Sequence, residues 1–239
     1  MSMTKIQQSK AIILDLDGII TQTMQLHQEV WKKMFDDFLE KAHPSQQEFN
    51  EQDYLKYVDG KPRYDGVRSF LKSRQIELEE GSEDDDTQAD TVYGLGKRKN
   101  ERFLKLLEQQ GAEVYEDTLK YIEKWKKEGK KLAVVSSSKN CRPVLERAGL
   151  IDIFDTIVDG TDAAHQSLKG KPNPDIFVEA SQRLDISPQE AVVFEDAVAG
   201  VEAGSKGKFG YVVGVNRNDH AEAMKDAGAD IVINSLSDL

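Results

Sequence analysis

The first chemistry this sequence offers lies in two aspartates one residue apart, Asp15 and Asp17, within residues 11–20, AIILDLDGII. Four apolar residues rich in isoleucine run into Asp15, and such a short apolar run closed by a glycine predicts a buried parallel strand. Asp15 then falls at the carboxyl end of that strand, where open α/β sheets place their ligands. Residues two apart on an extended chain point to one side. Asp15 and Asp17 therefore face one site, and Gly18 lets the backbone turn just beyond them. Two carboxylates held together repel unless a cation, a proton or a counter-ion settles the charge. A strand end followed by an Asp-Gly turn would show the same letters, so the rest of the chain has to decide.

Further polar groups are expected at other strand ends. Ser136 follows the apolar run 131–135, Lys171 sits in Gly170-Lys171-Pro172, and Glu195-Asp196 closes the apolar run 191–194. All carboxyl ends of a parallel sheet lie on one edge, so these groups can converge with Asp15 and Asp17. The inventory suits phosphoryl transfer. Hard carboxylate oxygens from Asp15 and Asp196 suit Mg²⁺, while Lys171 and the Ser136 hydroxyl suit phosphate oxygens. Asp15 is placed to attack phosphorus, and Asp17 to act as general acid and then base. The sequence contains no G-x-x-x-x-G-K-[ST] loop, which argues against a P-loop nucleotide hydrolase.

The elements that must position these groups follow from periodicity. Residues 24–42 repeat apolar positions every three to four residues, which predicts an amphipathic helix. Further helical stretches are expected at 49–57 and 66–74, with a loop at 58–63 between them. A helix opening at Lys97 and running through Leu107 follows. Residues 77–90 are densely acidic and poor in apolar side chains, which predicts a solvated, mobile loop. After Gly111 short apolar strands alternate with helices: strands at 131–135, 157–158, 191–194, 211–215 and 231–233, helices at 118–128, 143–148, 175–184, 198–203 and 220–227. That alternation predicts a doubly wound, Rossmann-like parallel sheet with helices on both faces. The expected division is a core of residues 1–21 and 112–239, with an all-helical insertion at 22–111 directly after the first strand.

Composition narrows the partners. With 239 residues and a net charge of −11, the chain is not expected to bind nucleic acid or an anionic membrane. A small anionic substrate stays open, because a metal ion and a few local cations can reverse the field inside one pocket. The single Cys141 reads as a reduced packing thiol. The amino terminus has no apolar signal core and no stretch approaches the roughly 20 apolar residues that span a bilayer. A cytoplasmic monomer is expected.

Taken together, Asp15-Leu16-Asp17-Gly18, Ser136, Lys171 and Glu195-Asp196 resemble the four motifs of the haloacid dehalogenase superfamily, the Mg²⁺-dependent aspartyl-phosphate phosphotransferases. The resemblance spans essentially the whole chain, and the insertion point matches members with an all-helical cap. It implies a metal site at Asp15, Asp17, Glu195 and Asp196. Within the superfamily the chain is similar to the β-phosphoglucomutase branch. The matching pieces are His27 and Trp31, the loop Gly60-Lys61-Pro62-Arg63, Lys97-Arg98-Lys99-Asn100, and Ser136-Ser137-Ser138-Lys139-Asn140. That likeness implies a sugar phosphate as substrate, with Arg63 on its distal phosphate. It further implies substrate contacts from Ser138, Lys139 and Asn140, a role for His27 in positioning Asp17, and a reach into the site by Lys99. A phosphatase with the same machinery is the alternative. His27 could equally serve as a hydrogen-bonding residue of its helix, Trp31 as cap core, and Lys99 as a solvated helix start. Two departures from the branch stand out: Gln22 where an Asp is usual, and Glu116-Asp117 where Pro-Gly is usual.

Overall fold

The computed structural model describes residues 2–217 and 220–239 and divides them into two compact units. One unit takes the residues up to Gln22 together with Ala112–Leu239, and the other is Thr23–Gly111.

The chain opens with α1 (Ser2–Gln8), a helix that the polar leader sequence did not announce, and enters β1 (Ala11–Asp15). The helical unit follows as α2 (Met24–Ala42), the short α3 (Glu51–Asp53), α4 (Arg63–Ser73) and α5 (Val92–Gln110). The first unit then resumes with α6 (Glu116–Lys127), β2 (Lys131–Val135), α7 (Cys141–Arg147), β3 (Thr156–Val158), α8 (Gly160–His165) and α9 (Asp175–Arg183). It closes with β4 (Ala191–Glu195), α10 (Val198–Lys206), β5 (Tyr211–Val215), α11 (Ala221–Asp226) and β6 (Ile231–Ile233).

The six strands form one wholly parallel sheet in the order β3-β2-β1-β4-β5-β6. β1 is central, with Asp15 beside Val135 of β2 and Leu14 beside Phe194 of β4. The chain leaves β1 for β2 on one side and returns to β4 on the other. That reversal opens a crevice outside the carboxyl end of β1, where such sheets hold ligands. Both faces of the sheet are covered, which explains the uninterrupted apolar runs. Ile13, Val135 and Val193 pack with Phe177 of α9 and Val201 of α10 on one face. On the other, Phe194 meets Trp125 of α6 with ring centroids 5.2 Å apart.

The helical unit has its own aromatic core. Phe35 of α2 lies 5.3 Å from Trp31, 5.1 Å from Phe49 and 4.1 Å from Phe70 of α4. Three of its boundaries differ from the periodicity. Residues 49–57 are α3, capped reciprocally by Asn50 and Asp53, followed by one π-helical turn at Tyr54–Val58. α4 begins at Arg63, directly after Pro62. α5 begins five residues before Lys97, capped by the Thr91 hydroxyl on the Gly94 N–H. Gly94 and Gly96 weaken the helical signal there, but the packing needs them. A Cβ on Gly94 would stand 2.1 Å from the Ala89 carbonyl oxygen, and one on Gly96 would stand 2.5 Å from the Tyr64 ring.

The acidic segment is exposed, but it is held in place rather than left loose. Lys97 donates to the carbonyls of Glu83 and Asp85, and Arg98 Nε donates to the Thr87 carbonyl at 2.7 Å. Asp85 accepts the Thr91 hydroxyl, and Asp86 accepts the N–H groups of Gln88 and Ala89. Arg68 pairs with Glu80. The expectation of a mobile loop missed that its carboxylates and carbonyls are satisfied by the basic first turns of α5.

Candidate active site

The site is built on the end of β1. Asp15 closes the strand, and the Lys171 ammonium donates to its Oδ1 at 2.5 Å. Lys171 also donates to Glu195 Oε1, and the other oxygen of Glu195 accepts the Ala197 N–H at 2.8 Å. Asp15, Lys171, Glu195 and Asp196 are all buried. Sequence placed Lys171 at a strand end. It comes instead from the connection between α8 and α9, with a cis peptide bond to Pro172 and its ammonium 5.1 Å above the Phe177 ring.

Burial pushes the Asp15 carboxyl well above its ordinary range, and the charges of Glu195 and Asp17 push the same way, against the pull of Lys171. Burial works to lower the Lys171 pKa, but the Asp15 and Glu195 carboxylates overcome it and hold the ammonium above its ordinary value. Lys171 is thus a fixed cation between two carboxylates.

Glycine shapes the second layer. Gly18 has φ +81° and donates its N–H to the Thr21 carbonyl at 2.8 Å, which turns the chain after Asp17. A Cβ on Gly18 would lie 1.9 Å from Asp196 Oδ2, so the missing side chain is what admits the Asp196 carboxylate to this turn. Gly200 does the same for Glu195: a Cβ there would lie 1.8 Å from Oε1. Ser136 follows β2 and its Oγ accepts the Ser138 N–H at 3.1 Å; the Ser138 Oγ accepts the Asn140 N–H at 3.1 Å. This loop also rests on Gly160, whose absent Cβ would meet the Ser137 carbonyl at 2.6 Å. Cys141 is buried just beyond it. Burial and the nearby Asp17, Asp159 and Asp15 charges raise its thiol pKa well above the ordinary value, which suits packing and not chemistry.

The predicted cap residues gather within the helical unit in two groups. Lys99 Nζ lies 2.8 Å from His27 Nδ1, 5.2 Å from the Trp31 ring centre and 4.7 Å from that of Phe103. An ammonium can only donate, so His27 Nδ1 accepts. Arg63 Nη2 donates to Asn100 Oδ1 at 2.7 Å and its guanidinium lies over Tyr64. Burial lowers the Arg63 pKa from its ordinary value. Lys61 turns back on its own unit, donating to the Tyr57 carbonyl at 3.0 Å and to Ser69 Oγ at 2.9 Å. Gly60 supplies the positive φ of that loop, and Pro62 precedes α4. The run Lys97-Arg98-Lys99-Asn100 is therefore divided: two residues tie down the acidic loop, and two join His27 and Arg63.

Residues 9–207 match the haloacid dehalogenase-like hydrolase family. The chain belongs to that family. A β-phosphoglucomutase from Mycobacterium bovis is 45% identical over 96% of this chain and 91% of its own length. The β-phosphoglucomutase of Bacillus subtilis is 34% identical over 96% and 91%. Among solved structures, a β-phosphoglucomutase from Clostridium difficile superposes with a TM-score of 0.78 at 26% identity, covering 97% of this chain and 93% of that one.

A metal ion in this haloacid dehalogenase-like site has suitable donors. No three His, Cys, Asp or Glu side chains form a metal cage among the described residues. Mg²⁺ does not require one, since it binds through one or two carboxylates with waters and substrate phosphate. Asp15, its Oδ1 held by Lys171, and Asp196 over Gly18 are two carboxylates of that kind. Glu195 has both oxygens engaged, by Lys171 and by the Ala197 N–H, so its place is with Lys171.

Three polar side chains outside the four motifs tie the core unit together. Thr118 Oγ1 donates to the Ile19 carbonyl at 2.7 Å, and Gln22 Nε2 donates to the Val114 carbonyl at 3.2 Å. Asp117, where Pro-Gly was expected, accepts the Ser235 hydroxyl and the Leu236 N–H at 2.5 and 2.9 Å. The two departures thus serve as ties within the core unit.

Proposed function

We propose that this protein is a β-phosphoglucomutase, moving phosphate between C1 and C6 of glucose through a bisphosphate. The observation that carries the reading is the Lys171-held Asp15 at the end of the central strand, with Asp17 on the turn behind it. The 45% identity to a β-phosphoglucomutase over nearly the whole chain supports the choice of substrate.

In this mechanism Lys171 fixes Asp15 Oδ1 and so presents the remaining oxygen to phosphorus. A bond from that oxygen to phosphorus forms as the bond from phosphorus to the sugar oxygen breaks, and Asp17 donates the proton the departing oxygen needs. In the reverse sense Asp17 takes the proton from the other sugar hydroxyl, which then recovers the phosphoryl group from Asp15. Mg²⁺, held by Asp15 and Asp196, would neutralise charge on the transferring phosphoryl oxygens. Ser136 and the loop to Asn140 would bind the oxygens of that group, and Arg63 would bind the phosphate not being transferred. Arg63 favours a mutase over a phosphatase, because hydrolysis of a monophosphate needs no second phosphate site.

The net charge of −11 fits a small-molecule substrate better than nucleic acid. No helix among the described residues is long and apolar enough to cross a membrane. We take the working form as a cytoplasmic monomer.

The test supplies β-glucose 1-phosphate, Mg²⁺ and a trace of glucose 1,6-bisphosphate, and follows glucose 6-phosphate and free phosphate together. Glucose 6-phosphate without phosphate release is expected. Free phosphate as the main product would replace the mutase by a sugar-phosphate phosphatase.

A further inference from the structure

Arg217 lies two residues beyond β5, outside every motif that pointed to phosphoryl transfer. Its guanidinium makes three contacts with segments far apart in sequence. Nε donates to the Gly18 carbonyl at 2.9 Å, Nη1 donates to the Asn234 carbonyl at 3.1 Å, and the guanidinium carbon lies 3.8 Å from the centre of the Tyr115 ring. Gly18 therefore has both backbone groups held, the N–H by the Thr21 carbonyl and the carbonyl by Arg217. Asp17 is attached on one side of this residue, and the Asp196 carboxylate covers its α-carbon. Tyr115 in turn donates its N–H to the Ile20 carbonyl at 3.0 Å, on the same turn.

We propose that Arg217 is a positioning residue, clamping the Gly18 turn onto Tyr115 and thereby fixing Asp17 for proton transfer. The role rests on the phosphoryl-transfer reading above. A planar guanidinium can donate along two directions while its face stacks on a ring; a lysine ammonium can donate to a carbonyl but has no planar face to lay on the ring. A general acid works only within hydrogen-bond reach of the atom it protonates. A turn free to shift by about 1 Å would cost on the order of a hundredfold in rate.

Arg217→Gln, Arg217→Lys and Tyr115→Leu test this by steady-state kinetics and by hydrogen exchange in the folded protein. Arg217→Gln is expected to lower kcat roughly 10- to 100-fold with KM within about twofold. Exchange in residues 16–22 should quicken roughly tenfold, while β2 and β4 keep their protection. Arg217→Lys should recover part of both effects. Tyr115→Leu should reproduce the pattern more weakly, and it decides the matter if Arg217→Gln does not fold. Unchanged exchange at 16–22 overturns the clamp whatever happens to turnover. A fall in kcat matched by faster exchange across the whole sheet overturns it as well, since the role would then be general stability. A wild-type protein inactive on every sugar phosphate would remove the functional reading, and the positioning of proton transfer with it. Exchange at 16–22 would still report whether the clamp exists.

Discussion

The two units each bury a lysine, and they treat it differently. Lys171 in the core and Lys99 in the helical unit are each 4% exposed. Lys171 is gripped by the carboxylates of Asp15 and Glu195. Lys99 has the imidazole of His27 and the faces of Trp31 and Phe103 around its ammonium. Both carboxylates of Asp15 and Glu195 lie in direct hydrogen-bond contact with the Lys171 ammonium. The core lysine is accordingly a counter-ion that holds Asp15, the proposed nucleophile. The contacts of Lys99 are instead an imidazole nitrogen at 2.8 Å and two aromatic faces with ring centres at 5.2 and 4.7 Å. Raising the pKa of Lys171 means that its contribution to stability is complete below the ordinary lysine pKa. That contribution is lost only as pH rises through the still higher folded value, so the pair persists throughout the working range.

The contrast breaks first at Lys171. Lys171→Ala leaves two buried carboxylates facing one another and should destabilise the fold by about 3–5 kcal/mol, read from urea unfolding with Mg²⁺ absent. Turnover should fall by roughly a thousandfold or more. Lys99→Met keeps the apolar stem among Trp31 and Phe103, so its cost in stability should stay below about 2 kcal/mol. An equal loss of stability in both variants would erase the distinction drawn between the two pockets.

A second comparison sharpens the role of the helical unit. Arg63→Ala should weaken use of β-glucose 1-phosphate with its bisphosphate primer by roughly a hundredfold, about 2.7 kcal/mol of a charge-assisted phosphate contact. Hydrolysis of p-nitrophenyl phosphate, which carries one phosphate, should change by less than about threefold by the same reasoning. Equal losses on the two substrates would contradict the assignment of Arg63 to a second phosphate.

The smallest effect concerns Asp117. Burial opposes its ionisation, but hydrogen bonds from Ser235, Thr118 and Leu236 and the Arg217 charge outweigh it and hold its carboxyl below the ordinary range. A depressed carboxyl contributes stability above the unfolded pKa of about 4 and loses it as pH falls through the folded value. Asp117→Asn should therefore cost about 1 kcal/mol at neutral pH and flatten the loss of stability below about pH 4. A variant as acid-labile as the wild type would show that the Ser235 and Leu236 contacts contribute nothing.

What could be read in the sequence followed from side-chain chemistry and period. The run into Asp15, the alternation after Gly111 and the helical stripe of residues 24–42 each carried their own signal. Lys171 was recognisable from its neighbours, although its location in a loop rather than at a strand end was not. The start of α5 was hidden because Gly94 and Gly96 oppose helix locally, and only the approach of Ala89 and Tyr64 explains them. The acidic segment was misjudged for a related reason: composition records its charge, whereas the partners in α5 and α4 that hold it are a tertiary matter. Arg217 had no local signal at all. Its three contacts join Gly18, Tyr115 and Asn234, which only the folded sheet brings together.

The central claim is that Asp15 is the group that carries phosphate. Phosphorus-labelled glucose 1,6-bisphosphate, mixed rapidly with the protein and quenched in acid, tests it directly. The expected result is one hydroxylamine-labile acyl phosphate on the peptide containing residues 11–17, absent from Asp15→Asn. Label on any other residue, or undiminished label in Asp15→Asn, would contradict it.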